Sequence, residues 1–360
     1  MNIDFLKQAL TLAELRKGYC APNPCVGAVI VKDARILATG YHWGAGYPHA
    51  EIEALKQLSP ELCRHADLYV TLEPCCHQGK TSPCTEAIIQ SGIARVFYGL
   101  KDPDPRVSGK GIAALEAAGI VCTHLPLPEI NAFYQSYCYW QTHQQPYVTA
   151  KLALSLDGKI AGAGGKPVKI SGEKAKVFTH QQRKFADALL TTARTIMCDD
   201  PQLNVRLSDE ISHKPVYVLD RTLSISDKAQ IFSTAKPLTL FHSNKVCENK
   251  ISHYRDKGAT CIAVPETGEG NQLAWEAILN EVGKAGVQAL WVEAGGRCFE
   301  SLLLANRVQQ AYLYFSPIYL GAESVSAFST RQNLFANVQK TTWQMLGEDA
   351  VCQFIWEGEG

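Results

Sequence analysis

His49 and Glu51 stand two residues apart in "PHAE" (48–51), and Cys75 and Cys84 bracket the loop "CCHQGKTSPC" (75–84). An imidazole and two thiolates are the ligand types that hold zinc. A catalytic zinc keeps its fourth position for water, whose pKa it lowers to about 7. A carboxylate two residues from the histidine could then move protons. In a helix interior such a pair diverges, but in a first turn both side chains can lean toward one point beyond the helix end. A second helix starting at Cys84 would bring another positive dipole end to the sulfurs, which favours thiolate.

His-x-Glu, then Pro-Cys, then a helix-opening Cys is the order found in zinc deaminases. Here the second cysteine is displaced, with eight residues between Cys75 and Cys84. Cys75 follows Pro74 as in that pattern, so Cys75 and Cys84 are the expected ligands, with Cys76 and His77 outside. Two other readings compete. A closed structural site would take Cys76 or His77 as fourth ligand and leave Glu51 without a role; buried inert thiols would ignore the spacing altogether.

The flanking sequence supplies the elements such a site needs. An amphipathic helix is expected over 2–17. "CVGAVIV" (25–31) and "RILATGYH" (35–42) read as a hairpin turning at Lys32-Asp33. "HAEIEALKQL" (49–58) is helical, "ADLYVTL" (66–72) is a strand feeding the loop, and "CTEAIIQSG" (84–92) is a helix closed by Gly92. A strand at 94–100, a helix near 110–118 and a strand near 120–123 complete a β-β-α-β-α-β-α-β run. That order implies a layered α/β domain with helical crossovers. Residues 124–146 read as a boundary with a short helix docked across it. A second α/β pattern follows, with strands at 147–155, 215–220, 238–242, 260–264, 289–294 and 311–321, and helices at 172–186, 271–285 and 297–305.

No G-x-G-x-x-G joins a strand to a helix in this second half, so a Rossmann site is not expected. "LWVEAGGRCFESLL" (290–303) instead runs strand, Gly295-Gly296, helix. Glycines there let backbone approach an anion at the helix N-terminus, and equally they serve turn geometry alone.

"APNPCVGAVIVKD" (21–33), "GYHWGAGYPHAEIEAL" (40–55), "YVTLEPCCHQGKTSPC" (69–84) and "DPDPRVSGKGIAALEAAGI" (102–120) together resemble the deaminase half of the bifunctional riboflavin-biosynthesis deaminase/reductase family, whose variant of the motif has the long cysteine gap. "KLALSLDGKIA" (151–161), "CDDPQLNVR" (198–206) and the Gly295 stretch are similar to its reductase half. The resemblance covers nearly the whole chain. It implies an α/β protein with an N-terminal cytidine-deaminase-like three-layer domain (1–145) and a C-terminal dihydrofolate-reductase-like domain (146–360). It implies one Zn2+ per chain on His49, Cys75 and Cys84, Glu51 as proton shuttle, and Asn23, His42 and Lys80 around the first substrate. NADPH would border Ala153, Thr195, Asp199 and Gly295, Gly296, Arg297, Cys298, Phe299, Glu300 and Ser301. Arg183, Leu203, Arg206 and Glu293 would hold the second substrate, a ribose phosphate. The chain departs from the family where Ser-x-Trp-Ile-Thr is common: Pro167 and Lys169 take the Ser and Trp positions, beside substrate and cofactor. At a strand end, Arg221 stands where the family's Asp-Ser has serine. Loss of the tryptophan removes a stacking surface, and Lys169 and Arg221 offer charge instead.

Length and composition bound these readings. A chain of 360 residues, 46% hydrophobic and 19% charged, suits two globular domains. Thirty-five basic residues balance thirty-five acidic ones, and the balance holds in each half, so no basic stripe argues for nucleic acid. The partners expected are small phosphorylated pyrimidines, and a homo-oligomer is left open. No apolar run is long enough for a membrane span. The start lacks a signal-peptide pattern, and thirteen dispersed cysteines suit reduced thiols, so the expected location is the cytoplasm. Two alternatives stay open: a deaminase of another nucleobase whose second half is a substrate or oligomerisation module, and a non-catalytic binding protein with structural zinc.

Overall fold

The computed structural model describes residues 2–76, 82–207, 210–267 and 272–356. It divides into two compact units, Met1–Gln144 and Gln145–Gly360.

The first unit begins with α1 (Ile3–Glu14) and the hairpin β1 (Gly27–Lys32) and β2 (Arg35–Tyr41). The hairpin turns through Asp33 and Ala34, both at positive φ. There follow α2 (Ala50–Leu55), α3 (Pro60–Cys63), β3 (Asp67–Leu72), α4 (Cys84–Ser91), β4 (Arg95–Leu100), α5 (Lys110–Ala117), β5 (Val121–His124) and α6 (Pro128–His143). The strands form one sheet in the order β2-β1-β3-β4-β5. Only β3, β4 and β5 run parallel, each reached through a helix. Leu6 and Ala9 of α1 and Ile130 and Phe133 of α6 fill the core on one face; Ala54 of α2, Ile88 of α4 and Leu115 of α5 fill the other. A three-layer α/β/α unit results. Being covered on both faces makes β3 buried along its whole length, and Thr71 is tolerated there because its hydroxyl bonds Tyr134 Oη at 2.7 Å and Gly27 N at 3.1 Å. The helix expected across the 124–146 boundary is present but not short: α6 is sixteen residues long and belongs to the first core through Ile130, Phe133, Tyr134 and Tyr137.

One buried carboxylate fixes the loop after β3. Glu73 accepts from the backbone N–H groups of Asp102, Gly109, Gly111 and Ile112 at 2.9–3.3 Å, which closes the start of α5. Gly111 lies so close that a Cβ would fall 2.0 Å from Pro74 O, so only glycine lets α5 back the Pro74-Cys75 step. Glu73→Ala strands four donors, and we expect it to destabilise this unit by about 3 kcal/mol, with zinc loss, measured by urea unfolding and metal analysis.

The second unit opens with β6 (Tyr147–Ser155), β7 (Lys159–Ala163), α7 (Glu173–Phe185), β8 (Ala188–Thr192) and α8 (Ala193–Asp199). Next come β9 (Val205–Leu207), β10 (Glu210–Ser212), β11 (Val216–Leu219), α9 (Ile231–Thr234), β12 (Leu238–Ser243), α10 (Glu248–Asp256) and β13 (Thr260–Val264). After the short β14 (Glu266–Thr267) and β15 (Gln272–Leu273) stand α11 (Trp275–Lys284), β16 (Ala289–Glu293), α12 (Gly296–Leu304) and β17 (Gln310–Ser316). The chain ends on β18 (Ser324–Ser326), β19 (Lys340–Leu346) and β20 (Asp349–Ile355). Among the described residues the large sheet runs β13-β12-β11-β8-β16-β6-β17-β20-β19. It is parallel from β13 to β17 and finishes in the antiparallel β20-β19 hairpin. Helices α11 and α12 cover one face; α7, α8 and α10 cover the other. The parallel strands therefore present their carboxyl ends along one edge, where ligands of open α/β sheets bind. No described helix is long and apolar enough to cross a membrane.

Candidate active sites

His49 caps α2 in extended backbone, and Cys84 is the first residue of α4. Their helices meet so that His49 Nδ1 lies 3.2 Å from Cys84 Sγ and 3.4 Å from Cys75 Sγ. The amide of Cys84 donates to Cys75 Sγ at 3.4 Å, and Thr85 N bonds Cys75 O at 3.2 Å. The three ligand atoms fall within 4.8 Å of one another, and among the described residues Cys76 is outside the cluster. Two sulfurs and one imidazole nitrogen so close suit a borderline-soft, tetrahedral ion, so the donor set fits zinc. The Cys84 thiol and His49 favour Cys75 as thiolate against the cost of burial, and the Cys75 hydrogen bond raises His49 to about 9. Cys84, facing that thiolate in a buried position, is pushed well up.

Glu51, in the first turn of α2, is buried beside this cluster. Burial raises its carboxyl pKa despite the opposing pull of His49, and the group also touches the Cys84 thiol. A carboxyl whose pKa is raised in this way can both take and give a proton.

His42 packs edge-on to His49 with ring centroids 5.3 Å apart. Its Nδ1 meets Pro48 O at 3.0 Å, so Nδ1 carries the proton and Nε2 accepts from Asn23 Nδ2 at 3.1 Å. Burial lowers the His42 pKa, which keeps the ring neutral and leaves Asn23 its carbonyl oxygen to offer. Asn23, His42, His49, Glu51 and Cys75 share a cavity of about 750 Å³. Lys80 and His77 lie outside the described residues. Sequence reasoning missed other walls of this cavity, among them Asp102, Tyr137 and Trp140. Tyr137 Oη donates to Asp102 at 2.9 Å, and burial pushes that carboxyl up to about 6. The only signal for Asp102 was its place in "DPDPRVSGK"; nothing local marked the two aromatics.

A second cavity, about 720 Å³, opens at the carboxyl ends of β6, β8 and β16. Ala153, Pro167, Lys169, Thr195 and Asp199 line it, with Arg183, Leu203 and Glu293 deeper among its walls' polar and apolar groups, and Gly295 to Cys298 closing the α12 end. At Gly296 a Cβ would fall 1.9 Å from Ala327 O, so this turn accepts glycine alone. Lys169 pairs with Glu173 at 2.6 Å. The rest of the predicted α12 residues turn away with the helical period. Phe299 is in the core, Glu300 accepts from Ser329 N at 2.7 Å, and Ser301 Oγ accepts from Trp275 Nε1 at 2.8 Å. Arg206 and Arg221 are not wall residues either: Arg206 donates to Gln202 and Asn204, and Arg221 to Glu266.

Arg183 is buried and faces inward. Its Nε and Nη2 reach Glu293 at 2.5 and 2.9 Å, and Nη1 donates to Asn204 O at 2.9 Å. Trp291 Nε1 adds a bond to Glu293 at 2.8 Å. Lys151, unmarked by sequence reasoning although its motif was noted, lines the same cavity with its ammonium 5.0 Å from the Tyr314 ring. Burial lowers its pKa, against the pull of Glu293.

Two family models match the chain: the cytidine and deoxycytidylate deaminase zinc-binding region over residues 2–100, and the RibD C-terminal domain over residues 146–352. The riboflavin biosynthesis protein RibD of Aquifex aeolicus is 36% identical, over 98% of this chain and 97% of its own length. That of Escherichia coli is 33% identical over 89% of each. Among solved structures, Acinetobacter baumannii RibD matches with a TM-score of 0.86 at 28% identity, covering 98% of both chains. A Thermotoga maritima diaminohydroxyphosphoribosylaminopyrimidine deaminase/5-amino-6-(5-phosphoribosylamino)uracil reductase matches with a TM-score of 0.84 at 30% identity, over 98% of this chain and 97% of its own.

Proposed function

The chain belongs to the bifunctional riboflavin-biosynthesis deaminase/reductase family, and from that premise we propose which of its residues perform the two reactions. It is a zinc-dependent hydrolase and an NADPH-dependent oxidoreductase. It deaminates 2,5-diamino-6-ribosylamino-4(3H)-pyrimidinone 5′-phosphate and reduces the resulting 5-amino-6-(5-phosphoribosylamino)uracil to the ribitylamino product. Its architecture is a cytidine-deaminase-like domain followed by a dihydrofolate-reductase-like one. We assign them to residues 1–145 and 146–360.

In the first domain His49, Cys75 and Cys84 hold the metal. Zinc, when bound, supplies the Lewis acidity that makes water a nucleophile at neutral pH. Glu51 takes the proton from that water and delivers it to the departing amine as ammonia. Neutral His42 orients Asn23, whose carbonyl oxygen is offered to the pyrimidine, and Lys80 serves the same substrate. The observation that carries this reading is the three-ligand cluster with a buried carboxyl at its side.

In the second domain Ala153, Thr195, Asp199 and the Gly295-Gly296 turn, which line one cavity, would hold NADPH, and the chemistry it would supply there is a hydride for the sugar C1′. Lys151 is the buried cation beside the reacting end. Arg183 acts by positioning Glu293, since its donors are engaged internally, and Arg206 is assigned to the ribose phosphate. Small phosphorylated pyrimidines are the partners, and thirteen cysteines without a disulfide among them support a cytoplasmic location.

Chelation separates the two activities. Zinc removal is expected to abolish ammonia release and leave NADPH oxidation with the deaminated substrate unchanged; parallel loss of both would overturn the assignment.

A further inference from the structure

Helix α7 turns two buried polar side chains, His180 and Arg183, toward the strap that leads from α8 into β9. Three residues apart, they share one face of the helix, and each takes a different backbone group of the strap. Arg183 Nη1 donates to Asn204 O at 2.9 Å, and Arg206 N donates to His180 Nδ1 at 3.1 Å. A ring nitrogen that accepts an amide proton carries none itself, so the His180 proton sits on Nε2. The surroundings keep the ring in that state. Burial and the cations Arg183, Arg206 and Lys176 outweigh the pull of Glu293 and lower its pKa to about 4.

The strap has reason to be clamped. It leaves α8 through Asp200 at φ 38° and turns again at Leu203, at φ 45°. A leucine in the left-handed region is crowded by its own Cβ and persists only where neighbours over-determine it. Leu203 is 2% exposed, and with Pro201 it walls the second cavity. The two α7 bonds fall on the residues just after it. The Arg206 guanidinium in turn folds back onto the side chains of Gln202 and Asn204. One short stretch therefore carries a cavity wall at its start and, at its end, the arginine assigned to the ribose phosphate.

We infer that His180 is a positioning residue of the reductase: through the Arg206 amide it fixes the turn at Leu203 and the place from which Arg206 meets the substrate's phosphate. This rests on the assignment of Arg206 to that phosphate. His180 does not line the cavity itself. It acts at the phosphate end of the substrate, away from the C1′ that takes hydride. An interaction of that kind is made equally in ground and transition states, so its loss is read in KM and not in kcat.

Steady-state reduction by the full chain tests this with His180→Gln, His180→Asn and Arg206→Ala. An asparagine Oδ1 falls close to the place of a histidine Nδ1 and accepts the same amide; a glutamine oxygen falls nearer to Nε2. His180→Gln is expected to raise KM for the deaminated substrate about tenfold, with kcat and KM for NADPH each within about twofold of native. Calorimetric binding of ribose 5-phosphate should weaken in parallel, without any turnover. His180→Asn should bring KM back to within about threefold of native. In the Arg206→Ala chain, which alone loses about tenfold or more, His180→Gln should add nothing further. A role in packing alone would treat Asn and Gln alike, or disturb kcat and both KM values together; either result overturns the inference, as does a native KM in His180→Gln. Should Gln disturb folding, Asn decides by itself, since a tenfold rise there leaves the inference without support. If Arg206→Ala keeps the native KM, the phosphate assignment fails and the inference with it, while the reductase reading stands.

Discussion

Glu51→Gln is expected to lower ammonia release by about 10²–10⁴-fold while zinc content stays at one ion per chain. The substitution keeps side-chain volume in a buried position and leaves His49, Cys75 and Cys84 untouched. What it removes is a group that can change protonation. In the native chain burial raises the Glu51 pKa, His49 pulls it back down, and the carboxyl touches the Cys84 thiol. A side chain poised in this way can take a proton from water and return it within one turnover; an amide can do neither. The check is metal analysis beside an ammonia assay, with NADPH oxidation on the deaminated substrate as internal control. Unchanged ammonia release would rule out the shuttle. Zinc loss in the variant would make Glu51 a support of the metal instead.

The deaminase site was legible because its determinants are local. His49 and Glu51 share one helical turn, and Cys75 and Cys84 flank one loop, so spacing alone could bring them near a common point. What spacing could not show is the support. Glu73 reads as an acid following a strand, yet its carboxylate gathers amides from 102 to 112, a distance only the fold closes. Tyr137 and Trp140 were hidden in the same way: "NAFYQSYCYWQTH" mixes aromatic and polar residues without a clean stripe, and the segment reads as a boundary carrying only a short helix. The β19–β20 hairpin escaped because β19 is an exposed edge strand, so its sequence carries no inward apolar alternation. Strand β8 was missed for a different reason. "ALLTT" follows α7 after a single intervening pair of residues, and periodicity cannot divide so short a run. In the second domain the walls come from β6, β7, α7, α8, β16, α12 and β18, elements scattered through the whole domain, so their convergence could be expected only through family resemblance. Even then, the resemblance named a stretch of α12 and the helical period kept only its first turn at the cavity.

Arg183→Ala is expected to cost the second domain about 3–5 kcal/mol and to abolish reduction, while ammonia release persists. The guanidinium and Glu293 are 11% and 14% exposed, and three of the arginine's donors end on Glu293 and Asn204 O. Truncation strands a buried carboxylate, which is why the cost exceeds that of a surface pair. The pH dependence separates this from a simple packing defect. Burial alone would raise the Glu293 pKa, but the charge and hydrogen bonds of Arg183, with Lys151 and Trp291, hold it down to about 2. The unfolded value is near 4.3. A depressed folded pKa gives stability that is fully present above the unfolded value and lost as pH falls toward the folded one. The native domain therefore loses this contribution between about pH 4.5 and 2. In Arg183→Ala the cost of burying charge prevails, Glu293 folds protonated, and the variant gives up nothing over that window. The stability gap between native and variant chains, measured by denaturant unfolding, should accordingly be widest near pH 7 and narrow as the solution is acidified. A second substitution, Glu293→Gln in the Arg183→Ala chain, should recover part of the loss at pH 7 and none in acid. A gap independent of pH would mean that the arginine's aliphatic packing, and not its charge, supports the domain.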